Sequence, residues 1–249
     1  MARKGTTRRG ALGWIAAGTM AGALPASRAA AQARAQPGKR EVDLHLALAV
    51  DASGSVSQLR FELQRRGYVD AFANPRVLQA IRSGPQAAIA VSMYQWTGPA
   101  LQAPVTPWRV IEDETSIRAF AAEVASGPRR LFGGGTSVSG AIDYGLALFG
   151  QSPFEGGRRV IDVSGDGANN RGRPAEAARD EAISRGTNIN GLPILEVEPD
   201  LEEYFRHNVI GGPGAFVIAA ETFEDFGNAI LRKLILEIAG APVANPARA

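Results

Sequence analysis

An apolar run at residues 42–50, VDLHLALAV, constrains the fold of this chain more than any other feature. Such a run is typical of a strand that is buried on both faces, as in parallel sheets. Further strands are predicted at residues 86–96, 99–110, 159–163, 189–197 and 215–220. Helices are predicted at residues 57–72, 115–125, 138–149, 174–185, 201–208 and 223–238. This alternation predicts an α/β fold, a doubly wound and mostly parallel sheet flanked by helices.

Prolines limit the position of two of these elements. Pro75 either closes the first helix or starts a second short one. Several prolines interrupt residues 99–110, and proline cannot donate a hydrogen bond to a neighbouring strand. We therefore expect residues 99–110 to form a strand near an edge of the sheet.

Three polar loops follow or lie close to the ends of predicted elements and precede helices. The first holds Asp51, Ser53 and Ser55, the second is GGGT and ends at Thr136, and the third is SGDG and contains Asp166. Doubly wound folds bind ligands at the carboxyl ends of their strands. Together the loops offer carboxylates and hydroxyls without a thiol or an imidazole, so they predict a site made of oxygen ligands.

An all-oxygen site favours a hard divalent cation, and hydroxyl and water ligands with few carboxylates suit Mg²⁺ better than Ca²⁺. Mg²⁺ is the expected cofactor, with Mn²⁺ or Ca²⁺ as alternatives. Because the loops offer few carboxylates, the charge of the cation is incompletely neutralised. The cation therefore attracts an acidic group from outside the protein. An incompletely neutralised cation favours ligand binding over hydrolysis.

The segment AVDASGSVS resembles the Asp-x-Ser-x-Ser motif of the metal-ion-dependent adhesion site in von Willebrand factor A domains. GGGTSVSGAI is similar to the Gly-Gly-Thr loop of that family, and VIDVSGDG is similar to its strand that ends in Asp-Gly. The order and spacing of the three motifs carry the resemblance, which covers residues 42–240. It implies a Rossmann-like von Willebrand A domain, similar to exported bacterial members of unassigned function.

The resemblance also implies a role for each site residue. Ser53 and Ser55 would bind the metal directly, and Thr136 would bind it directly or through water. Asp51 and Asp166 would act mainly through bound waters and by orienting the hydroxyls. The remaining position would be left for an Asp or Glu side chain of a partner protein.

One departure from the family pattern leaves two candidates for the acid of the third loop. The family usually has a hydroxyl residue directly before Asp-Gly, whereas Gly165 occupies that position here. Asp162 is the rival to Asp166. Asp166 is preferred because it follows the strand, whereas Asp162 lies within the apolar run and would need a buried partner.

The N-terminus has the pattern of an export signal. Residues 1–31 combine five basic residues and no acid with a modest apolar run and a small-residue cleavage motif. Arg8 and Arg9 resemble a twin-arginine signal, and the general secretory route is the alternative. Residues 32–41 read as a polar connector, residues 42–240 as one domain and residues 241–249 as a disordered tail. We expect a periplasmic protein.

Composition excludes several classes of partner. Without the five basic residues of the signal, 22 Lys and Arg face 25 Asp and Glu, and no basic run interleaved with aromatics remains. Nucleic acid is therefore not an expected partner. The apolar run of the signal is too weak for a stable membrane anchor, and the final helix carries Arg232, Lys233 and Glu237. The chain has no cysteine, so its core folds without disulfides.

Three functions remain open. The first is a protein-interaction module without enzymatic activity that captures an acidic group through Mg²⁺. The second is a metal-dependent hydrolase of phosphate esters, which lacks an evident general base because His45 and His207 do not adjoin the loops. The third is a structural domain whose metal site has decayed. Phosphate-binding and serine-hydrolase motifs are both missing from the sequence.

Overall fold

A computed structural model describes residues 38–240 of the chain. The strands are β1 (Arg40–Asp51), β2 (Ile89–Trp96), β3 (Gln102–Ile111), β4 (Phe154–Gly165) and β5 (Thr187–Pro193). The helices are α1 (Gln58–Ala73), α2 (Pro75–Arg82), α3 (Glu114–Ser126), α4 (Val138–Gly150), α5 (Ala175–Ser184), α6 (Leu201–Tyr204) and α7 (Phe226–Ala239). A π-helical turn, Phe205–Val209, continues α6.

The five strands form one sheet in the order β3-β2-β1-β4-β5. All neighbours are parallel except β3, which is antiparallel to β2 and lies at the edge, as its prolines predict. Asp51 is paired with Trp96, and Gly165 is paired with Pro193. The carboxyl ends of β1, β2, β4 and β5 therefore meet at one edge, which we call the carboxyl edge.

The central strand β1 separates two hydrophobic cores. On one face, Leu44, Leu46 and Leu48 pack among the buried residues of α1, α2, α3 and α7. On the other face, Ala47 and Ala49 pack among the buried residues of α4, α5 and α6. A fully buried leucine side chain stabilises the fold by about 2 kcal/mol. This two-sided burial explains the apolar run and confirms the predicted α/β fold class.

The strand predicted at residues 215–220 is reduced to two isolated bridges, from Val217 to Gly191 and from Ala220 to Ile194. Pro193 lies between the two bridges and has no backbone N–H to donate to this segment, so the ladder is interrupted there. Before the first bridge, the Phe216 backbone amide donates to the Asn190 side chain at 3.0 Å. The strand predicted at residues 189–197 likewise ends early, at Pro193.

The other predicted elements occur with shifted ends. The final helix begins at Phe226 rather than at residue 223, because the Thr222 and Asp225 side chains close a turn just before it. Pro75 starts α2, which resolves the choice between closing one helix and starting another. Within residues 38–240, no helix combines the length and the apolar character needed to cross a membrane. The predicted export signal and tail lie outside the described residues.

Candidate metal centre

The first loop begins where β1 ends. Asp51 is fully buried, and its Oδ1 accepts a hydrogen bond from the Ser53 backbone amide at 2.7 Å. This bond folds the loop back, so that the Ser53 and Ser55 hydroxyl oxygens lie 3.2 Å apart. The third serine of the alternating series, Ser57, accepts from the Arg60 backbone amide and caps α1. Ser57 is therefore a helix cap and is not directed into the site.

The third loop brings its carboxylate to the first. Asp166 is fully buried, and its Oδ1 accepts a hydrogen bond from the Ser55 hydroxyl at 2.6 Å. Its backbone amide donates to Asp51 Oδ2 at 3.4 Å. The four predicted site residues Asp51, Ser53, Ser55 and Asp166 are thus linked by hydrogen bonds. Asp166 Oδ2 is buried and has no hydrogen-bond partner among the described residues.

The second loop places Thr136 beside the third. The Thr136 amide donates to Asn170 Oδ1 at 2.9 Å, and the Thr136 carbonyl accepts from the Asn170 amide at 2.8 Å. A Cβ atom at Gly167 would lie 3.8 Å from Thr136 Oγ1. The preceding glycines, Gly134 and Gly135, have φ angles of 102° and 80°, a region that L side chains rarely adopt. The glycine loop therefore brings Thr136 to the site.

Gly165 explains the departure from the family pattern. A Cβ atom at this position would lie 2.9 Å from Asp51 Oδ2 and 3.1 Å from the Trp96 ring. A serine directly before Asp166 would therefore force the buried loop to move. The hydroxyl of Ser164 is directed elsewhere, because it donates to the Ala49 carbonyl at 3.3 Å.

Both carboxyl groups of the site lie where their negative charge is poorly compensated. Burial raises the pKa of Asp51 to about 7, and the nearby charge of Asp166 adds to the rise. Burial also raises the pKa of Asp166, against the Ser55 hydrogen bond and the positive charge of Arg60. A cation at this position would remove the repulsion between the two carboxylates. The residues present therefore fit a divalent cation.

Asp162, the rival acid, belongs to a different cluster. It is fully buried in β4, and its Oδ1 lies 2.5 Å from the ammonium nitrogen of Lys233 on α7. The same nitrogen donates to Glu237 Oε1 at 3.3 Å, and the Asn190 side chain donates to that oxygen at 2.7 Å. This partner could not be predicted from the sequence, because Lys233 carries no local signal that it is buried.

The two histidines lie away from the three loops. His45 is buried in β1, its Nε2 lies 2.7 Å from the Ser152 hydroxyl, and its ring packs against Trp108 and Phe149. His207 is exposed on the π-helical turn. Within residues 38–240, no three His, Cys, Asp or Glu side chains are grouped to hold a metal. A cation at the carboxyl edge would therefore need serine and threonine hydroxyls among its ligands.

An arginine without a predicted role supports the first loop. One guanidinium nitrogen of Arg129 donates to the Ala52 and Ser53 carbonyls, at 3.1 and 3.2 Å. Its guanidinium also lies over the rings of Phe61 and Phe132. Only the pair of arginines before the glycine loop hints at this role in the sequence. Arg129 therefore fixes the backbone that carries Ser53.

A groove of about 730 Å³ lies at the opposite end of the sheet and is lined by Asp43, Gly84 and Arg158, among others. The Asp43 carboxylate accepts hydrogen bonds from the Gln86 and Ala88 backbone amides, at 3.0–3.4 Å. The Arg158 guanidinium donates to carbonyls at the end of α7. Asp43 and Arg158 are thus bound to the protein itself, unlike Asp166 Oδ2.

Comparison with known proteins gives one family and several similar folds. The family model described as "Protein of unknown function (DUF1194)" matches residues 41–242. A search of curated proteins finds no match. The family match therefore covers the domain and all three loops.

The solved structures that resemble the chain include von Willebrand factor A domains. Proximal thread matrix protein 1 from the mussel byssus is 14% identical with a TM-score of 0.58, over 81% of this chain and 49% of its own. A second structure of that protein, 12% identical with a TM-score of 0.56 and the same coverage, has zinc in its metal-ion-dependent adhesion site. The von Willebrand factor type A protein from Catenulispora acidiphila is 14% identical with a TM-score of 0.53, over 80% and 43%.

The pilus adhesin SpaC from Lactobacillus rhamnosus GG is 14% identical with a TM-score of 0.56, over 81% of this chain and 31% of the adhesin. The chain thus spans about half of the byssus protein and about a third of the adhesin. At these identities the similarity concerns the fold alone.

Proposed function

Since the chain belongs to the DUF1194 family and has the fold of a von Willebrand factor A domain, we propose that it is a metal-dependent protein-interaction module. In this proposal the domain binds Mg²⁺ at the carboxyl edge. The bound ion then captures an Asp or Glu side chain of a partner protein. Mn²⁺ and Ca²⁺ are the alternative ions.

One observation carries the proposal of a metal site: the buried Asp166 Oδ2 has neither a hydrogen bond nor, unlike the acids around Lys233, an ion pair on its carboxylate among the described residues. A buried carboxylate oxygen without a partner destabilises the protein unless something binds it. Asp51 is equally buried, and its pKa is raised to about 7 by that burial and by the charge of Asp166. A divalent cation would compensate both carboxylates.

The proposed ligands are Ser53, Ser55, Thr136 and the two acids. Hydroxyls carry no charge, so the negative charge of the site comes from its two carboxylates. These can at most neutralise a divalent cation, and they compensate less of its charge if they bind it through water. A carboxylate from outside supplies both negative charge and an oxygen ligand, which hard cations such as Mg²⁺ prefer. What the bound ion supplies is therefore an attachment point for an acidic side chain.

Metal binding is tested by calorimetric titration with Mg²⁺ and by the thermal shift that it produces, since a ligand of the native state raises apparent stability. Wild type should bind, whereas Asp51→Asn and Ser53→Ala should not. Ser57→Ala is the matched control, because this serine belongs to the same alternating series but caps α1. It should lose about 1 kcal/mol of stability and keep its Mg²⁺ response. Equal responses from Ser53→Ala and Ser57→Ala would contradict the proposed site.

Partner capture is tested by affinity purification from a periplasmic extract. Wild type in Mg²⁺ should retain a protein that is released by EDTA and is not retained by Asp51→Asn. Replacement of individual Asp and Glu residues in that protein should identify the captured side chain. Retention that survives both EDTA and Asp51→Asn contradicts capture through the metal.

Export is a separate part of the proposal, supported by the sequence pattern of residues 1–31. The full chain with a C-terminal tag should appear in the periplasmic fraction of a Gram-negative host, shortened by the signal. Replacement of Arg8 and Arg9 by lysine should block export by the twin-arginine route and leave the general secretory route unaffected. A full-length product in the cytoplasm would show that residues 1–31 are not a signal.

A further inference from the structure

The large apolar side chains that are exposed lie around the proposed metal site. Within residues 38–240 they are Leu59, Leu101, Phe132 and Val197, with exposed fractions of 69%, 44%, 66% and 43%. Each lies in or beside a segment that follows a strand at the carboxyl edge or precedes Thr136. Single exposed apolar residues are normal, but apolar residues gathered on one face mark an interaction site. We call these four residues the apolar rim.

Phe132 is fixed to the first loop of the site through an arginine. The Arg129 guanidinium lies over the Phe132 ring, 4.8 Å from its centroid. The same guanidinium donates hydrogen bonds to the Ala52 and Ser53 carbonyls. The exposed aromatic ring is therefore held beside the backbone of a proposed metal ligand.

Leu101 packs against the glycine loop on the same side. An ideal Cβ atom at Gly134 would lie 2.5 Å from Leu101 Cδ1, so the two residues are in close contact. Gly134 is two residues before Thr136, a second proposed ligand. Leu101 and Phe132 thus flank the loop that carries Thr136.

Leu59 and Val197 lie on the opposite side of the site. Leu59 precedes Arg60, which donates to the Ser55 carbonyl at 3.0 Å and is ion paired with Glu196. Val197 follows Glu196, and the next residue, Glu198, accepts from the Ala168 amide of the third loop at 3.0 Å. These contacts tie both apolar residues to the loops that carry Ser55 and Asp166.

Charge is distributed unevenly around the apolar rim. The Arg60 guanidinium is neutralised by Glu196. Arg130 and Arg171 are exposed beside the glycine loop, and neither forms an ion pair within residues 38–240. The Arg171 side chain contacts the position of Gly135. The side with Phe132 and Leu101 is therefore positively charged as well as apolar.

We propose that this face binds a protein segment in which the metal-binding Asp or Glu is flanked by a large apolar side chain and by a second acidic residue. The apolar side chain packs against Phe132 and Leu101, and the second acid pairs with Arg130 or Arg171. This inference rests on the proposed metal site and specifies the partner of that site. Charge complementarity favours an acidic segment over a neutral apolar one.

The test uses the purified domain and random heptapeptides displayed on phage. Phage that bind in Mg²⁺ are eluted with EDTA, and the peptides are sequenced before and after selection. The expected result is enrichment of two acids together with Leu, Ile, Phe or Trp next to one of them. Enrichment of acids without apolar neighbours would overturn this inference and leave the proposed function intact. No Mg²⁺-dependent enrichment of acids would contradict both.

The most enriched peptide then serves as the probe for variants. Phe132→Ser should weaken its binding at least about tenfold, because exposed aromatic anchors carry much of the binding energy of interfaces. Arg130→Ser should weaken it less and reduce its salt dependence. Arg118→Ser, an exposed arginine on α3, is the matched control and should bind as wild type. All three variants should keep the Mg²⁺ thermal shift, which shows that fold and metal site are intact.

Light scattering in Mg²⁺ and in EDTA tests whether a second copy of the chain, and not another protein, binds this face. The inference predicts a monomer in both solutions. A dimer that forms in Mg²⁺ and is abolished by Phe132→Ser would overturn the assignment to an acidic segment of another protein. Unchanged peptide binding by Phe132→Ser would also overturn it.

Discussion

Replacement of Lys233 by methionine tests whether the buried ion cluster under α7 holds that helix on the sheet. Lys233 is fully buried and is the cation between two buried carboxylates, Asp162 at 2.5 Å and Glu237 at 3.3 Å. Its ammonium group also lies 5.4 Å from the centroid of the Phe216 ring. Methionine fills most of this space without charge, so the substitution mainly leaves two carboxylates unpaired.

The expected loss of stability is about 3–5 kcal/mol near neutral pH, the usual cost of removing one partner from a buried ion pair. It depends on pH, because burial raises the pKa of Asp162 to about 7 even with Lys233 present. An acid whose pKa is higher in the folded state binds more protons when folded, so stability falls as pH rises through that pKa.

In Lys233→Met the carboxylates avoid burying charge only by taking up protons. Each pH unit above the unfolded pKa adds about 1.4 kcal/mol to the cost of keeping a carboxyl protonated. Wild type pays the same cost for Asp162 below its pKa of about 7, so we expect a loss of about 3–5 kcal/mol at about pH 8 that is smaller by about 1–2 kcal/mol near pH 5.

Urea denaturation at both pH values measures this difference. Arg232→Met is the matched control, because Arg232 is the preceding residue of α7 and is exposed. Adding Glu237→Gln to Lys233→Met should recover part of the loss, since it removes one of the unpaired carboxylates. A loss that is the same at both pH values, or as small as that of Arg232→Met, would refute the electrostatic explanation.

Three further substitutions probe other sites. Asp51→Asn should raise the thermal midpoint of the metal-free protein at about pH 8, because it removes one of two neighbouring buried charges; a lower midpoint would contradict this. Gly165→Ala overpacks the buried loop, so it should lower the free energy of unfolding in denaturant by about 1–3 kcal/mol and abolish the Mg²⁺ thermal shift. Gly157→Ala in the same strand adds only an ordinary contact and should have neither effect. His45 has a pKa lowered to about 4 by burial and then by Arg159, so its folded state binds fewer protons and stability falls as pH falls from about 6.5 to 4. In thermal melts across that pH range, His45→Phe should reduce this fall in stability, whereas His207→Gln, at an exposed residue, should not.

The order of the elements could be predicted because its signals are local. Apolar runs and proline positions each involve neighbouring residues, and they located β1, the edge strand β3 and the start of α2. The prediction of a strand at residues 215–220 was wrong because its pairing depends on residues that are distant in the sequence. Pro193 on β5 cannot donate a hydrogen bond to it, and Asn190 accepts the Phe216 amide; no pattern within the segment shows either.

The candidate site could be predicted in part for a related reason. In a parallel sheet, loops far apart in sequence share one edge, so Asp51, Ser53, Ser55 and Asp166 could be expected together before any contact was known. The support around them could not be expected in the same way. Gly165 is required by the position of Asp51 Oδ2, and Arg129 acts through the carbonyls of the first loop.

Asp162 in β4 and Asp166 in the loop after it differ in their tertiary partners, which the local sequence does not show. Asp162 and Asp166 are four residues apart and both fully buried, and burial raises the pKa of each. The first is compensated from within, by Lys233 on a helix that follows much later in the chain. Both acids keep buried oxygens without a hydrogen-bond partner among the described residues, but only Asp166 also lacks an ion pair there. An acid therefore becomes structural or available for a cation according to its tertiary partner, and a charge left uncompensated in a folded domain indicates where binding is to be sought.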